Sequence, residues 1–268
     1  MSSNSKNQKF LKNIKKYKFS EIFLKKNLIK IIQKNLLNGD LIILRSAFDK
    51  SLINQIKRYL ISIGSNSLPK YYQLKNGIPN HHRIIRNDPR SYVKGCFHQF
   101  SFFNWNQDVF NFFEIFKKGY WLKNILSGNN KNEFLNINLN NEIISRICFQ
   151  FYPAGCGYLN LHADPVGNHQ LAAPILIMSE KSNNGDFKNG GGYVINTNNK
   201  KIFFEDHTKI GDIVLYDASI PHGVDIIDKK KKNNWLEFKG RWMMFFATNK
   251  VNDSKLIKNS KEINDVQL

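Results

Sequence analysis

Cysteine is scarce in this 268-residue sequence. There are three, Cys96, Cys148 and Cys156, and no two have CxxC spacing. That excludes a disulfide-stapled scaffold and a zinc knuckle. The first nine residues are polar and lack the apolar stretch of a secretory signal, so reduced thiols and a cytoplasmic location are expected. No run approaches the ~18 apolar residues of a membrane span, so no membrane partner is expected. Arginine is also scarce: of 40 basic residues only 7 are Arg. The formal charge of +19 suggests nucleic acid at first sight. The lysines are spread along the chain, however, and no zinc finger or RRM signature accompanies them. Heavy use of Lys, Asn, Ile, Phe and Tyr fits an AT-rich coding bias, and the charge then reads as a basic solvated surface.

Apolar residues make up 41% of the chain, and 21 of them are Phe, enough for a core rich in aromatic packing. Residues 1–9 read as a frayed tail. Phe10 to Leu37 carries a basic helical pattern, Leu41 to Leu44 a short buried strand, and Leu52 to Gly64 an amphipathic helix. Residues 65–107 look irregular, and 108–128 helical again. From Asn141 onward short apolar runs alternate with turn residues. Strands are expected near 145–152, 157–162, 171–179, 191–196, 201–205, 212–217, 222–227 and 240–248. Eight such strands predict a mainly β fold, a jelly roll (double-stranded β-helix) with flanking helices. The expected organisation is an N-terminal α/β extension over 1–140 that supplies support and substrate loops, a jelly-roll core over 141–250, and a polar, peripheral tail over 251–268.

Chemistry concentrates in Leu161-His162-Ala163-Asp164-Pro165 and, sixty residues later, Pro221-His222-Gly223-Val224. An imidazole and a carboxylate two residues apart face one ion if the strand breaks beside them, and Pro165 and Gly167 supply the break. A second imidazole from a distant strand completes two His and one carboxylate on one face. This ligand set leaves open positions and suits non-haem iron(II). An HxD pair alone arises easily by chance; its surroundings carry the weight.

Residues 152–164 (YPAGCGYLNLHAD) resemble the start of the catalytic jelly roll in the 2-oxoglutarate/iron(II)-dependent dioxygenase superfamily. So do Gly211 to Tyr216 leading through Pro221 to His222, and Asp186-Phe187 with Gly190 to Tyr193. Gly240-Arg241-Trp242 opens the last strand, where that superfamily keeps a basic residue. The resemblance covers roughly residues 145–248. It implies iron(II) on His162, Asp164 and His222, with 2-oxoglutarate and O2 as co-substrates and succinate and CO2 released. In that setting Arg241 would grip the distal carboxylate of 2-oxoglutarate, because guanidinium pairs with carboxylate through a two-pronged contact. Arg146, Gln150 and Tyr152 alternate on one strand, share a face, and are candidates for binding co-substrate or substrate. Hydroxylation of a small molecule is the leading expectation, and the cationic cluster His81, His82, Arg83, Arg86 and Arg90 would suit an anionic one. The alternatives are hydroxylation of a protein or peptide side chain, and a metal cupin with no need for 2-oxoglutarate or for Arg241. A non-catalytic nucleic-acid module would need no intact triad. His169 and His207 are expected outside the ligand set, and Cys156 as an inert thiol.

Overall fold

The computed structural model describes residues 8–25, 27–66, 80–88, 91–106, 108–136, 143–172, 174–250 and 259–263. All eight strands expected after Asn141 are present. They are β5 (Ile143–Pro153), β6 (Tyr158–Ala163), β7 (Ile175–Ile177), β8 (Gly191–Ile195), β9 (Lys201–Phe203), β10 (Ile213–Leu215), β11 (His222–Asp225) and β12 (Gly240–Lys250). Upstream lie β1 (Ile14–Lys18), β2 (Leu41–Arg45), β3 (Asn80–Ile84) and β4 (Gly95–Phe102); β13 (Lys261–Glu262) follows. The helices are α1 (Leu28–Leu37), α2 (Lys50–Asn66) and α3 (Phe112–Leu126).

The strands form one curled sheet in the order β1-β2-β10-β7-β12-β5-β4-β6-β11-β8-β9, with β3 beside β4 and β13 beside β6. Strand β4 joins its two layers. His98 to Phe102 pair with β5, whereas Gly95 and Cys96 pair with β6. The result is a jelly roll with a larger layer and a smaller one. Alternation along β5 and β12 separates two cores. Phe149, Phe151, Trp242, Met244 and Phe246 face outward against Ile32, Leu36, Ile56, Leu60 and Phe116 of the three helices. Tyr152 and Met243 face inward with Val194, Tyr216 and Val224, between the layers. Among the described residues no helix is long and apolar enough to cross a membrane.

Three expectations need correction. The basic run from Phe10 is not all helix: Ile14–Lys18 is a strand parallel to β2, and the helix covers only Leu28–Leu37. Lysine on a half-exposed edge strand mimics a solvated helix face, and pairing overrides the helical pattern. The stretch 65–107 is not wholly irregular, since it holds β3 and β4. Part of it (67–79, 89–90 and 107) lies outside the described residues, as do Arg90, 1–7, 251–258 and 264–268. The ends are not merely peripheral. Lys9 Nζ pairs with the buried Asp217 at 2.6 Å, and β13 joins the sheet beside β6.

Candidate metal centre

His162 on β6 and His222 at the start of β11 are direct antiparallel partners, and the ladder becomes irregular immediately after His222. Opposed residues in such a pair point to one face, and the two ring centroids lie 4.2 Å apart. Each ring is oriented in the same way. Nδ1 lies 2.8 Å from the carbonyl oxygen two residues earlier, that of Asn160 for His162 and that of Ile220 for His222. Donation of Nδ1–H to that oxygen assigns the tautomer and leaves Nε2 with a free lone pair. The Tyr216 ring meets the His222 ring at 4.9 Å and 60°, and limits its rotation.

Both Nε2 atoms face Asp164. His162 Nε2 stands 3.8 Å from Oδ1, and His222 Nε2 stands 3.5 Å from Oδ2. The three ligating atoms all lie within 4.8 Å of one another. Ligands about 2.0–2.2 Å from one ion at right angles stand about 3 Å apart, so the site needs little closure to grip a metal. Protonation favours the same outcome. Burial, with repulsion from His222, lowers His162 to about 4. Burial alone would raise Asp164, but the His222 ring, which donates to it only in its protonated form, the charge of protonated His162 and the Ser260 hydrogen bond hold it well below the carboxylate range. A neutral imidazole beside an ionised carboxylate is the state a divalent cation requires.

Ser260 is absent from the sequence expectations. Its Oγ donates to Asp164 Oδ1 at 2.5 Å. Strand β13 puts it there: Lys261 pairs with Ala163 and Glu262 with His162, and Glu262 Oε2 accepts from the Lys94 amide at 2.9 Å. The C-terminal segment therefore straps the strand that carries two candidate ligands. Ser260→Ala should lower ferrous-ion affinity by about 10- to 100-fold, the usual cost of losing an outer-shell partner. Competition with a chromophoric chelator measures it, and unchanged affinity would deny Ser260 this role.

Arg241 lies deep between the layers, completely buried. Its Nε donates to Glu205 Oε1, and Glu205 Oε2 accepts from the Gly192 amide at 3.1 Å. Nη1 and Nη2 have no partner among the described residues. Position 192 must lack a side chain, because a Cβ there would overlap Nη2. Glu205 thus fixes the plane of the guanidinium and leaves Nη1 and Nη2 unpaired among the described residues. A buried cation with two unmet donors is suited to a carboxylate. Glu205 was not foreseen as part of this site. Only its place after Phe203 and Phe204 hints at burial, and nothing in the sequence pairs it with a residue 36 positions away.

No protein-family model matches this chain, and no curated protein sequence does. Solved structures do match. JOX2 in complex with 2OG, Fe and JA aligns over 96% of this chain and 83% of its own, at 11% identity and a TM-score of 0.55. This chain has the fold of the 2-oxoglutarate/iron(II) oxygenases. A full-length Neurospora crassa protein in complex with alpha-KG and 5-formyluracil aligns over 95% of this chain and 89% of its own, at 14% identity and a TM-score of 0.52. A Pseudomonas putida prolyl-4-hydroxylase aligns over 82% and 96%, at 11% identity and a TM-score of 0.50.

Within this oxygenase-type fold the other sequence candidates separate. Tyr152 is the strand partner of Arg241, whose guanidinium carbon lies 5.5 Å from the Tyr152 ring centroid. The Tyr152 hydroxyl donates to Gln150 Oε1 at 2.5 Å, and Gln150 Nε2 donates to Gln99 at 3.1 Å. Arg146 lies six residues before Tyr152, about 20 Å along an extended strand, so it is not brought together with Arg241. It sits over the Phe245 ring at 5.7 Å. His207 and His169 are outside the ligand cluster. His81 and His82 belong to β3; His81 stacks on Phe100 at 4.4 Å, and His82 is buried.

Burial lowers four histidines from 6.5: His81, His162 and His169 to about 4 and His98 to about 3. Between those values and 6.5 the unfolded chain binds more protons than the folded one, so stability is lost as the pH drops through that window. The melting temperature of metal-free protein should be flat above about pH 6.5 and decline steadily toward pH 4. A flat profile across that range would show that these rings stay accessible to protons.

Proposed function

We propose that this chain is an iron(II)- and 2-oxoglutarate-dependent oxygenase that hydroxylates a small molecule. The observation that carries the reading is the convergence of His162, Asp164 and His222 in a fold whose interior also holds a buried arginine with two unpaired donors. His162 Nε2, His222 Nε2 and one oxygen of Asp164 would hold the metal. Arg241 Nη1 and Nη2 would hold the distal carboxylate of 2-oxoglutarate, with the Tyr152 ring beside them. When bound, the metal and co-substrate together activate O2 at the expense of oxidative decarboxylation to succinate and CO2.

The chain's own residues supply the setting. The Asn160 and Ile220 carbonyls fix the tautomer of both imidazoles and aim them, and Ser260 keeps Asp164 turned toward them. Phe97, Val194, Tyr216 and Val224 exclude water around Arg241 and Tyr152, which strengthens every charge contact there. The N-terminal part, with α1 to α3 on the outer face, would support the barrel and supply loops for substrate.

An aerobic screen of metabolites for succinate formation, followed by mass spectrometry of the product, tests the assignment. Asp164 fills the carboxylate position, which leaves no protein-vacated site for chloride. The product should therefore be heavier by one oxygen or lighter by two hydrogens, with chloride present or not. A chlorinated main product would contradict the role given to Asp164.

A further inference from the structure

Two of the three cysteines meet where β4 joins the smaller layer. Cys96 Sγ lies 3.1 Å from Cys156 Sγ, although the residues are 60 positions apart. A disulfide is about 2.05 Å long, so closing the pair needs a shift of about 1 Å. We propose that Cys96 and Cys156 are an oxidisable pair that closes into a disulfide on exposure to hydrogen peroxide, tying β4 to the turn that leads into the ligand-bearing strand β6. This inference stands apart from the oxygenase assignment.

Position divides the labour between the two sulfurs. Cys156 lies in the turn between β5 and β6 and is partly exposed, whereas Cys96 is on β4, buried, and the strand partner of Tyr158. The Cys96 S–H donates to Cys156. That bond lowers the Cys156 thiol against the opposing effect of burial, and the nearby Arg83 charge helps. The same bond and burial raise Cys96. The accessible, more acidic thiol beside a resolving partner is the arrangement that peroxide selects. Cys148 contrasts with both: fully buried and pushed up to about 11.

The chemistry balances with peroxide as the oxidant. The Cys156 thiolate attacks one peroxide oxygen, the O–O bond breaks, and the departing hydroxide takes up a proton as water. Cys156 is then a sulfenic acid. The Cys96 sulfur attacks it, the S–S bond forms, the S–O bond breaks, and hydroxide leaves as water with the Cys96 proton. Two thiols lose two electrons and two protons in all, and one peroxide becomes two waters.

The test uses full-length protein pulsed with excess hydrogen peroxide in a chelating buffer. It is then denatured, blocked with N-ethylmaleimide and digested without reductant. The peptides carrying Cys96 and Cys156 should appear as one cross-linked species lacking two hydrogens, separable by dithiothreitol, while Cys148 is recovered fully alkylated. Cys96→Ser should instead trap Cys156 as a sulfenic acid that reacts with dimedone. The melting temperature of oxidised protein should rise by several degrees, since the cross-link closes a loop of 60 residues in the unfolded chain. Full alkylation of all three cysteines after the pulse would overturn the proposal. So would Cys156 recovered as sulfinic acid with Cys96 free, or a cross-link through Cys148.

Discussion

His222→Ala should weaken ferrous-ion binding by more than about 100-fold, beyond the roughly 10- to 100-fold that loss of an outer-shell partner costs. The reason is geometric. Nε2 of His222 is one of three atoms that close the site, and its partner Asp164 Oδ2 stands 3.5 Å away. Removing the ring leaves His162 and Asp164, two residues apart in sequence, with no third protein ligand from another strand. His162→Ala should do the same. Chelator competition under anaerobic conditions measures the affinity, and circular dichroism of the metal-free variants checks that the fold is intact. Asp164→Gly should abolish most hydroxylation with comparable loss of metal. A His222→Ala protein that binds iron like wild type would remove β11 from the site.

Arg241→Ala should raise the Michaelis constant for 2-oxoglutarate by about 30- to 1,000-fold. That corresponds to roughly 2–4 kcal/mol for a buried charge-assisted contact, at about 1.4 kcal/mol per tenfold change. The constant for the primary substrate should move much less. Alanine at 241 also strands the Glu205 carboxylate, which is buried against Arg241 Nε. Breaking such a pair costs about 3–5 kcal/mol, so the variant should also melt earlier. Arg241→Lys separates the two effects. It keeps a counter-charge for Glu205 but has no planar fork to offer a carboxylate. Its melting temperature should stay nearer wild type while its 2-oxoglutarate constant stays high. Equal rises in both Michaelis constants would make Arg241 a structural cation only.

The legible parts of the chain were those whose signal is local. The strands from Ile143 to Lys250 alternate or run apolar between turn residues, so each was visible in its own segment. His162 and Asp164 were legible because a break at Pro165 follows them, and His222 because Pro221 opens its strand. What escaped depends on contacts that no local pattern carries. Strand β1 carries three lysines because it is an edge, which reads as a helix face when its partner β2 is not known. Ser260 reaches Asp164 only through the pairing of β13 with β6. Glu205 becomes a partner of Arg241 only where β12 crosses the glycine at 192. The Cys96–Cys156 pair has no spacing signature, because β4 and the turn before β6 meet through the curl of the sheet.

The most direct test is an anaerobic calorimetric titration of 2-oxoglutarate into the protein, with and without ferrous iron and with no primary substrate. A metal held by His162, Asp164 and His222, with Arg241 as the partner of the distal carboxylate, predicts saturable one-to-one binding that strengthens markedly with iron. It should weaken in Arg241→Lys and lose its iron dependence in His162→Ala. No binding of 2-oxoglutarate to the iron-loaded protein, or binding indifferent to iron and to His162, would contradict the assignment.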